Sequence, residues 1–142
     1  MNPTIEKFGY PATLIKEFEH WIVLLRPAQV TLGSLILAAT SEATAYSQLS
    51  RSAFAEQADA VAAIEQALTK FVDFERINYL MLMMVDPHVH FHVIPRYSSA
   101  RIWRGVELTD AGWPGPPRLD VSPKLDDEQL RALVTEIAAN FR

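Results

Sequence analysis

Three of the four histidines of this chain alternate with apolar residues in one short segment. In an extended strand successive side chains point to opposite faces, so His88, His90 and His92 are predicted to share one face. Imidazole has an ordinary pKa of about 6.5, which allows it to act as nucleophile, base or acid near neutral pH. The spacing therefore predicts a strand with one chemically active face and one apolar face that packs in a core.

Two alternatives to catalysis remain open for these histidines. A histidine that faces outward from a strand is often an ordinary solvated residue. Histidine is also a common zinc ligand, although side chains two residues apart on a strand lie about 6.6 Å apart at the backbone, so three in a row converge poorly on one ion. The chain has no cysteine, and the segment lacks the His-Glu-x-x-His spacing. The expectation is therefore a site without a metal.

The segment from His88 to Arg96 resembles the signature of a known family. Its sequence His-Val-His-Phe-His-Val-Ile matches the His-φ-His-φ-His-φ-φ pattern of the histidine triad family of nucleotide hydrolases and transferases. Pro95-Arg96 continues the match as in Fhit-like members. Upstream, Leu25-Arg26-Pro27 and the run 32–37 are similar to the strand, loop and strand that family members have at this place. The resemblance covers about residues 13–97.

The resemblance implies a role for each histidine. His90, the middle one, is implied to be the nucleophile that attacks the α-phosphorus of a small nucleotide and forms a covalent nucleotidyl-histidine intermediate. His92 is implied to hydrogen-bond non-bridging phosphate oxygens. His88 is implied to face the scissile region or to support the other two histidines. The implied substrate is a dinucleoside polyphosphate or a nucleoside phosphoramidate, and the implied reaction needs no cofactor.

Four further residues are candidates for substrate binding. Arg26 stands where family members often have an asparagine or aspartate that meets the ribose, and Ser34 stands where many have a fourth histidine. Arg96 follows the triad as a candidate cation for phosphate. The Gly-x-x-x-Gly-Gln-[Ser/Thr]-Val loop that precedes the triad in the Hint and Fhit branches is absent, and Asp86 is the candidate substitute. This absence keeps a second function open, a catalytically weak nucleotide-binding module, and the histidines themselves keep open a third, a metal-binding strand.

Hydrophobic periodicity predicts the elements that position these residues. Four apolar, β-rich runs predict strands before the triad. The last of them, 77–85, is apolar on both faces, which predicts a central strand with protein on each side. Apolar residues at helical spacing predict a long helix over 52–72 and a C-terminal helix over 126–141 that Asp126 caps. The other three strands are predicted at 13–18, 21–25 and 32–38.

The segment 98–125 differs in composition from the rest, since it contains three glycines and four prolines. This composition predicts a surface loop without regular elements. Trp103 and Trp113 lie in it, and we expect both to pack on the body of the protein, on a second subunit or over the site.

Taken together, the elements predict one domain over residues 1–142 of class α+β. The expected architecture is an antiparallel sheet of about five strands with one long helix and a C-terminal helix, similar to the histidine triad fold. The resemblance also implies a homodimer, and the two-sided apolar strand favours one.

Charge and hydropathy restrict the partners of this domain. The net charge is −4 and no cluster of lysine and arginine is present, which argues against a nucleic-acid polymer as partner. No apolar leader and no long apolar run occur, so we expect no membrane association and a cytoplasmic location. A small nucleotide remains the expected partner.

Overall fold

The computed structural model describes residues 1–142 and consists of a five-stranded sheet, a two-stranded hairpin and three α-helices. The helices are α1 (Pro3–Lys7), α2 (Arg51–Val72) and α3 (Asp127–Ala139), and a short 3₁₀ helix spans Tyr46–Gln48. The strands are β1 (Leu14–Glu17), β2 (Trp21–Leu25), β3 (Leu35–Ala39), β4 (Arg76–Leu80), β5 (His90–Arg96), β6 (Arg101–Trp103) and β7 (Val106–Leu108). The large sheet has the order β1-β2-β3-β5-β4 with every neighbouring pair antiparallel. The predicted α+β class is confirmed.

The large sheet buries side chains on both of its faces, because residues alternate along each strand. One face, which includes Val23 and Val93, packs in the main core with residues of α2 and α3. The opposite face carries His90 and His92 beside a smaller apolar cluster. The members of that cluster are Ile5, Ile22, Leu24, Ile36 and Ala38. Since Ile5 belongs to α1, this short helix covers part of the histidine face.

The two longer helices confirm the predictions made from periodicity. α2 begins after Ser50, whose hydroxyl accepts a hydrogen bond from the Ala53 amide. α3 begins after Asp126, and the side chains of Asp126 and Gln129 each accept a hydrogen bond from the other's amide, which forms a capping box. None of the helices is both long and apolar enough to cross a membrane.

The strand predicted over 77–85 is shorter than expected and does not lie at the centre of the sheet. β4 ends at Leu80 and forms one edge of the sheet, where it pairs with β5 alone. The residues that follow leave the sheet, and Met84 is 84% exposed. The prediction of a central strand was wrong because β4 has a neighbour on one side only, and Leu82, Met84 and Val85 after it are exposed beside a cavity rather than buried in a core.

The segment 98–125 contains regular structure, which corrects the prediction of a plain loop. β6 and β7 form a hairpin around Arg104 and Gly105, whose φ angles of 48° and 79° fit a tight two-residue turn. Trp103 lies in the main core, and its indole N–H donates to the Glu136 carboxylate over 2.5 Å. The hairpin was missed because its strands have three residues each and its single turn glycine lies among other glycines and prolines.

The start of β3 also differs from the prediction. The strand expected over 32–38 begins at Leu35. Gly33 has a φ of 91°, a conformation that excludes it from a strand and belongs to a turn. The turn therefore extends further along the chain than the apolar run indicated.

Candidate active site

His90 and His92 lie side by side on β5, with their ring centroids 5.3 Å apart. Only 2% of His90 and 8% of His92 is exposed. The two rings line a cavity of about 210 Å³, and the segment from Leu82 to Asp86 forms its other wall. The strand thus presents two imidazoles to one cavity, as the alternation predicted.

The hydrogen-bond partner of His90 determines where its proton lies. The Nδ1 atom of His90 is 2.7 Å from the backbone carbonyl oxygen of His88. A carbonyl oxygen only accepts, so Nδ1 carries the proton and Nε2 carries a lone pair. His90 therefore has the tautomer that a nucleophile requires at Nε2.

His92 has the opposite tautomer, because its partner is a cation. The Nε atom of Arg26 donates to Nδ1 of His92 over 3.1 Å. A guanidinium only donates, so the proton of the neutral ring lies on Nε2. Burial first, then the positive charge of Arg26, and then the charge that His90 has when it is protonated, lower the pKa of His92 to about 4. His92 is therefore a neutral N–H donor at neutral pH.

His88 does not join the other two histidines at the cavity. It precedes β5 at a bend that follows Pro87, and its ring is held elsewhere. Its Nδ1 lies 2.9 Å from the hydroxyl oxygen of Thr4, and its Nε2 lies 3.2 Å from a carboxylate oxygen of Glu42. The predicted row of three imidazoles is therefore a pair, and His88 supports that pair through its backbone carbonyl.

α1 brings three residues to the site that the sequence reasoning missed. Thr4 contacts His88, Lys7 pairs with Asp86 over 2.8 Å, and the ring of Phe8 lies 5.5 Å from that of His90. The available signal was the pair Asn2-Pro3, since asparagine favours the N-cap and proline the first helical position. A helix of five residues is too short to give a periodic pattern.

Comparison with solved structures identifies the architecture around this site. A histidine triad protein from Bradyrhizobium japonicum superimposes with a TM-score of 0.76 at 15% identity, covering 100% of this chain and 97% of that one. A histidine triad protein from Sinorhizobium meliloti gives a TM-score of 0.76 at 20% identity, covering 99% and 95%. This chain has the histidine triad fold.

A third solved structure has the same fold. A hypothetical histidine triad nucleotide-binding protein from Sulfolobus tokodaii gives a TM-score of 0.66 at 19% identity, covering 91% of this chain and 83% of that one. No protein-family model matches the chain, and no curated protein matches it in sequence. The likeness establishes the histidine triad fold.

Of the four substrate-binding candidates, one lies at the cavity of this histidine triad fold and a second contacts one of its imidazoles. Asp86 lines the cavity beside the imidazoles. Arg26 contacts His92, and its guanidinium also donates to the Ala28 carbonyl over 2.8 Å, so it holds the ring in place. Burial lowers the pKa of Arg26. Its guanidinium is the cationic group that contacts His92 directly.

The structure does not bring Ser34 or Arg96 to the imidazoles. Ser34 is completely buried, and its hydroxyl donates to the Thr31 carbonyl within the turn before β3. Arg96 shares the histidine face of β5 but lies four residues from His92, about 13 Å along the strand. Its guanidinium donates to both carboxylate oxygens of Asp110, over 2.6 and 3.0 Å.

The nitrogens that remain free at the site are the Nε2 atoms of His90 and His92. Both Nδ1 atoms already have partners within the protein. No group of three or more histidine, cysteine, aspartate and glutamate side chains is arranged to hold a metal ion. What the site offers to a ligand is one lone pair and one N–H donor at adjacent positions.

Proposed function

We propose that this protein is a nucleotidyl hydrolase or transferase that attacks the α-phosphorus of a small nucleotide with Nε2 of His90. The observation that carries the proposal is the pair of opposite tautomers at one cavity. The lone pair of His90 and the N–H of His92 lie on rings whose centroids are 5.3 Å apart. A phosphorus centre needs both at once, a nucleophile and a donor to its oxygens.

The first step forms a bond between Nε2 of His90 and the α-phosphorus and breaks the bond from phosphorus to the leaving group. The leaving group departs with the bonding electron pair. The ring of His90 becomes positively charged, and the His88 carbonyl oxygen stabilises that charge through Nδ1–H. The N–H of His92 hydrogen-bonds a non-bridging oxygen, where negative charge is concentrated.

The second step transfers the nucleotidyl group from His90 to water or another acceptor. The acceptor oxygen attacks phosphorus, the phosphorus–nitrogen bond breaks, and its electron pair returns to Nε2. With water as acceptor, a nucleoside monophosphate leaves and one proton passes to the solvent. Two displacements of moderate barrier replace one difficult displacement.

The size of the cavity indicates which part of the substrate it holds. Pockets for drug-sized ligands have volumes of about 300–1,000 Å³. The space at His90 and His92 has a volume of about 210 Å³. It suits the reacting phosphate, and the nucleoside then extends beyond it. Lys7, which pairs with Asp86 at the cavity wall, offsets the negative charge there.

We also infer that the protein is a homodimer, as the resemblance implied. β4 is an edge strand, and such a strand leaves a row of backbone groups without a partner in the sheet. Met84 and Val85, which follow it, are 84% and 81% exposed. An unpaired edge beside exposed apolar side chains is typical of a surface that a second copy covers.

The test of the proposed reaction is trapping of the covalent intermediate. The protein is mixed with adenosine and guanosine dinucleoside polyphosphates and phosphoramidates, quenched, and measured by intact mass. We expect a nucleotidyl adduct that peptide mapping assigns to His90. His90→Ala should lose the adduct and at least about a thousandfold in turnover. His20→Ala, at the β1–β2 turn, is the matched control and should retain both.

Two results would overturn the proposal. Calorimetric nucleotide binding without adduct or product would indicate the binding module instead. Stoichiometric metal in protein purified without chelator, held by His90 and His92 and lost in their alanine variants, would indicate the metal-binding strand.

A further inference from the structure

The charges that line the cavity at His90 and His92 do not by themselves suit an anion. Apart from the two imidazoles, Asp86 is the only acidic or basic side chain in the lining, and its neighbours over 82–85 are apolar. A carboxylate repels an anionic group that enters the same space. The N–H that His92 offers at Nε2 is nevertheless a donor that suits an anionic oxygen. The cavity therefore needs a cation from outside its lining before it can hold an anion.

We propose that Lys7 is an anion-binding residue of this cavity and that Asp86 positions it there. The Nζ atom of Lys7 lies 2.8 Å from a carboxylate oxygen of Asp86. Lys7 contacts the ligand directly in this proposal, whereas Asp86 acts through Lys7. The inference rests on the proposed function for the identity of the anion, which is a phosphate group of the substrate.

The ammonium of Lys7 has donors that no protein group uses. A lysine ammonium carries three N–H groups. Asp86 is the one protein acceptor that it contacts, and the side chain of Lys7 is 56% exposed while that of Asp86 is 16% exposed. Lysine acts on phosphate as a compact point charge whose donors rotate freely. Lys7 can therefore hold the carboxylate of Asp86 and an anionic oxygen of a ligand at the same time.

The helix that carries Lys7 is fixed against the histidine face of the sheet. The side-chain amide of Asn2 donates to the backbone carbonyls of Ala39 and Ser41, over 3.0 and 2.9 Å. Ile5 is completely buried in the smaller apolar cluster. Because the backbone of α1 is held in this way, only the side chain of Lys7 has to adjust to a ligand. A preformed backbone lowers the entropic cost of binding.

The end of α1 lies directly at the imidazoles. Phe8 follows Lys7 in the chain, and the centroid of its ring lies 5.5 Å from that of His90 and 5.9 Å from that of His92. Asp86, which contacts Lys7, belongs to the other wall of the same cavity. An anion between the two walls therefore meets the N–H of His92 on one side and the ammonium of Lys7 on the other.

Arg26, the other cation near the site, does not take this role. Its Nε donates to Nδ1 of His92, and its guanidinium also donates to the Ala28 carbonyl. Arg26 thus approaches His92 from the side of Nδ1 and not from that of the free Nε2. Among the lysines and arginines, Lys7 alone contacts the wall that faces the imidazoles.

Calorimetry with inorganic pyrophosphate tests anion binding at Lys7. Lys7→Met keeps most of the apolar stem and removes the charge, and we expect it to raise the Kd by about tenfold or more. Lys7→Arg keeps the charge and should return the Kd to within about threefold of the wild-type value. Lys70→Met removes an exposed lysine from α2, which packs on the opposite face of the sheet, and is the matched control.

A double variant separates direct binding by Lys7 from mere neutralisation of Asp86. Lys7→Met combined with Asp86→Asn removes both charges, so no carboxylate is left to be neutralised. If Lys7 binds the anion itself, the double variant should still bind pyrophosphate about tenfold more weakly than the wild type. Binding restored to the wild-type Kd would overturn the inference.

Nucleotides compared with their nucleosides connect the anion site with the substrate. Lys7→Met should raise the Kd for AMP or GMP by about tenfold, whereas the Kd for adenosine or guanosine should change by less than about twofold. An equal effect on nucleotide and nucleoside would show that Lys7 supports the fold of the site and not the anion. Absence of pyrophosphate and nucleotide binding in the wild-type protein would also contradict the role of Lys7.

The failure of this inference differs from the failure of the proposed reaction. If the wild-type protein forms the His90 adduct and Lys7→Met leaves anion binding unchanged, the reaction stands and Lys7 has no such role. If pyrophosphate binding depends on Lys7 but no nucleotide forms an adduct, the anion site stands and the proposed reaction is wrong.

Discussion

The two imidazoles of the cavity differ in the atom that carries the proton, and neighbouring groups set this difference. The carbonyl of His88 fixes the tautomer of His90, and the guanidinium of Arg26 fixes that of His92. Exchange of Arg26 for an apolar residue would release the ring of His92, whereas the partner of His90 is a backbone carbonyl that remains whatever side chain position 88 carries. We therefore expect the site to respond to pH and to substitutions of residues that never contact the substrate.

The lowered pKa of His92 predicts a loss of stability in acid. The pKa is about 4 in the folded protein and about 6.5 in an unfolded chain. Between these values the unfolded state binds more protons, so the free energy of unfolding falls as the pH falls from about 6.5 to about 4. The stability that neutral His92 contributes is fully present above pH 6.5. We expect a loss of roughly 1–3 kcal/mol from this residue.

Urea unfolding of wild-type protein and His92→Gln at pH 7, 5.5 and 4 measures this effect. Glutamine does not titrate, so the variant should lose less stability over the same interval. Parallel loss in both proteins would show that His92 has an ordinary pKa.

Thr4 is predicted to be a positioning residue that acts on His90 through His88. Its hydroxyl contacts the His88 ring, and the His88 carbonyl contacts His90. Thr4→Val removes one hydrogen bond worth about 1 kcal/mol, so kcat should fall by about fivefold while KM stays constant. Thr4→Ser keeps the hydroxyl and should restore kcat. A change in KM alone, or an equal effect of both variants, would contradict the role.

The sequence predicted which histidines matter but not how their protons are placed. Alternation along a strand identified His90 and His92, because side-chain direction in a strand depends only on local geometry. The partner residues lie far away in the chain, since Thr4 and His88 are 84 positions apart and Arg26 and His92 are 66 positions apart. No local pattern reports such contacts. The position of His88 was missed for the same reason.

At the level of elements, α1 has a larger effect than its five residues suggest. A helix of this length is not stable in isolation, so tertiary contacts must hold it. Ile5 is completely buried in the smaller apolar cluster, and Lys7 pairs with Asp86. α1 thereby connects the histidine face to the cavity wall.

Removal of the buried side chain of α1 should destabilise the protein. Truncation of a fully buried isoleucine to alanine costs about 2–5 kcal/mol through lost burial and the cavity it leaves. We expect Ile5→Ala to lower the free energy of unfolding in urea within this range. Glu6→Ala changes an exposed residue of the same helix and should have an effect below about 0.5 kcal/mol. Equal effects would show that α1 is not docked on the sheet.

The elements that sequence patterns predicted well are those long enough to show a period. α3 was predicted with its N-cap Asp126, and α2 was predicted to within one residue of its bounds, since each has an apolar stripe over several turns. β4 was predicted as a central strand, because an apolar run has the same appearance whether it enters a core or borders a cavity. The β6–β7 hairpin and α1 are too short for any period.

At the level of the whole molecule, the edge strand β4 and the exposed segment after it favour the proposed homodimer. β4 has no partner on its outer side, and monomeric proteins commonly protect such an edge with charged residues. Here Met84 and Val85 follow the edge and are exposed. Residues 82–86 also form the wall of the cavity at His90 and His92. A partner on this surface would therefore stabilise that wall.

Analytical ultracentrifugation over a range of concentrations tests the homodimer. We expect the wild-type protein to sediment as a dimer and the double variant Met84→Lys, Val85→Lys to sediment as a monomer, because two buried charges per subunit cannot be compensated across a symmetric apolar contact. Ile102→Lys, which changes an exposed apolar residue on the β6–β7 hairpin, is the matched control and should remain dimeric. A wild-type monomer at all concentrations would contradict the assembly, and a dimer that survives the double substitution would place the contact on another face.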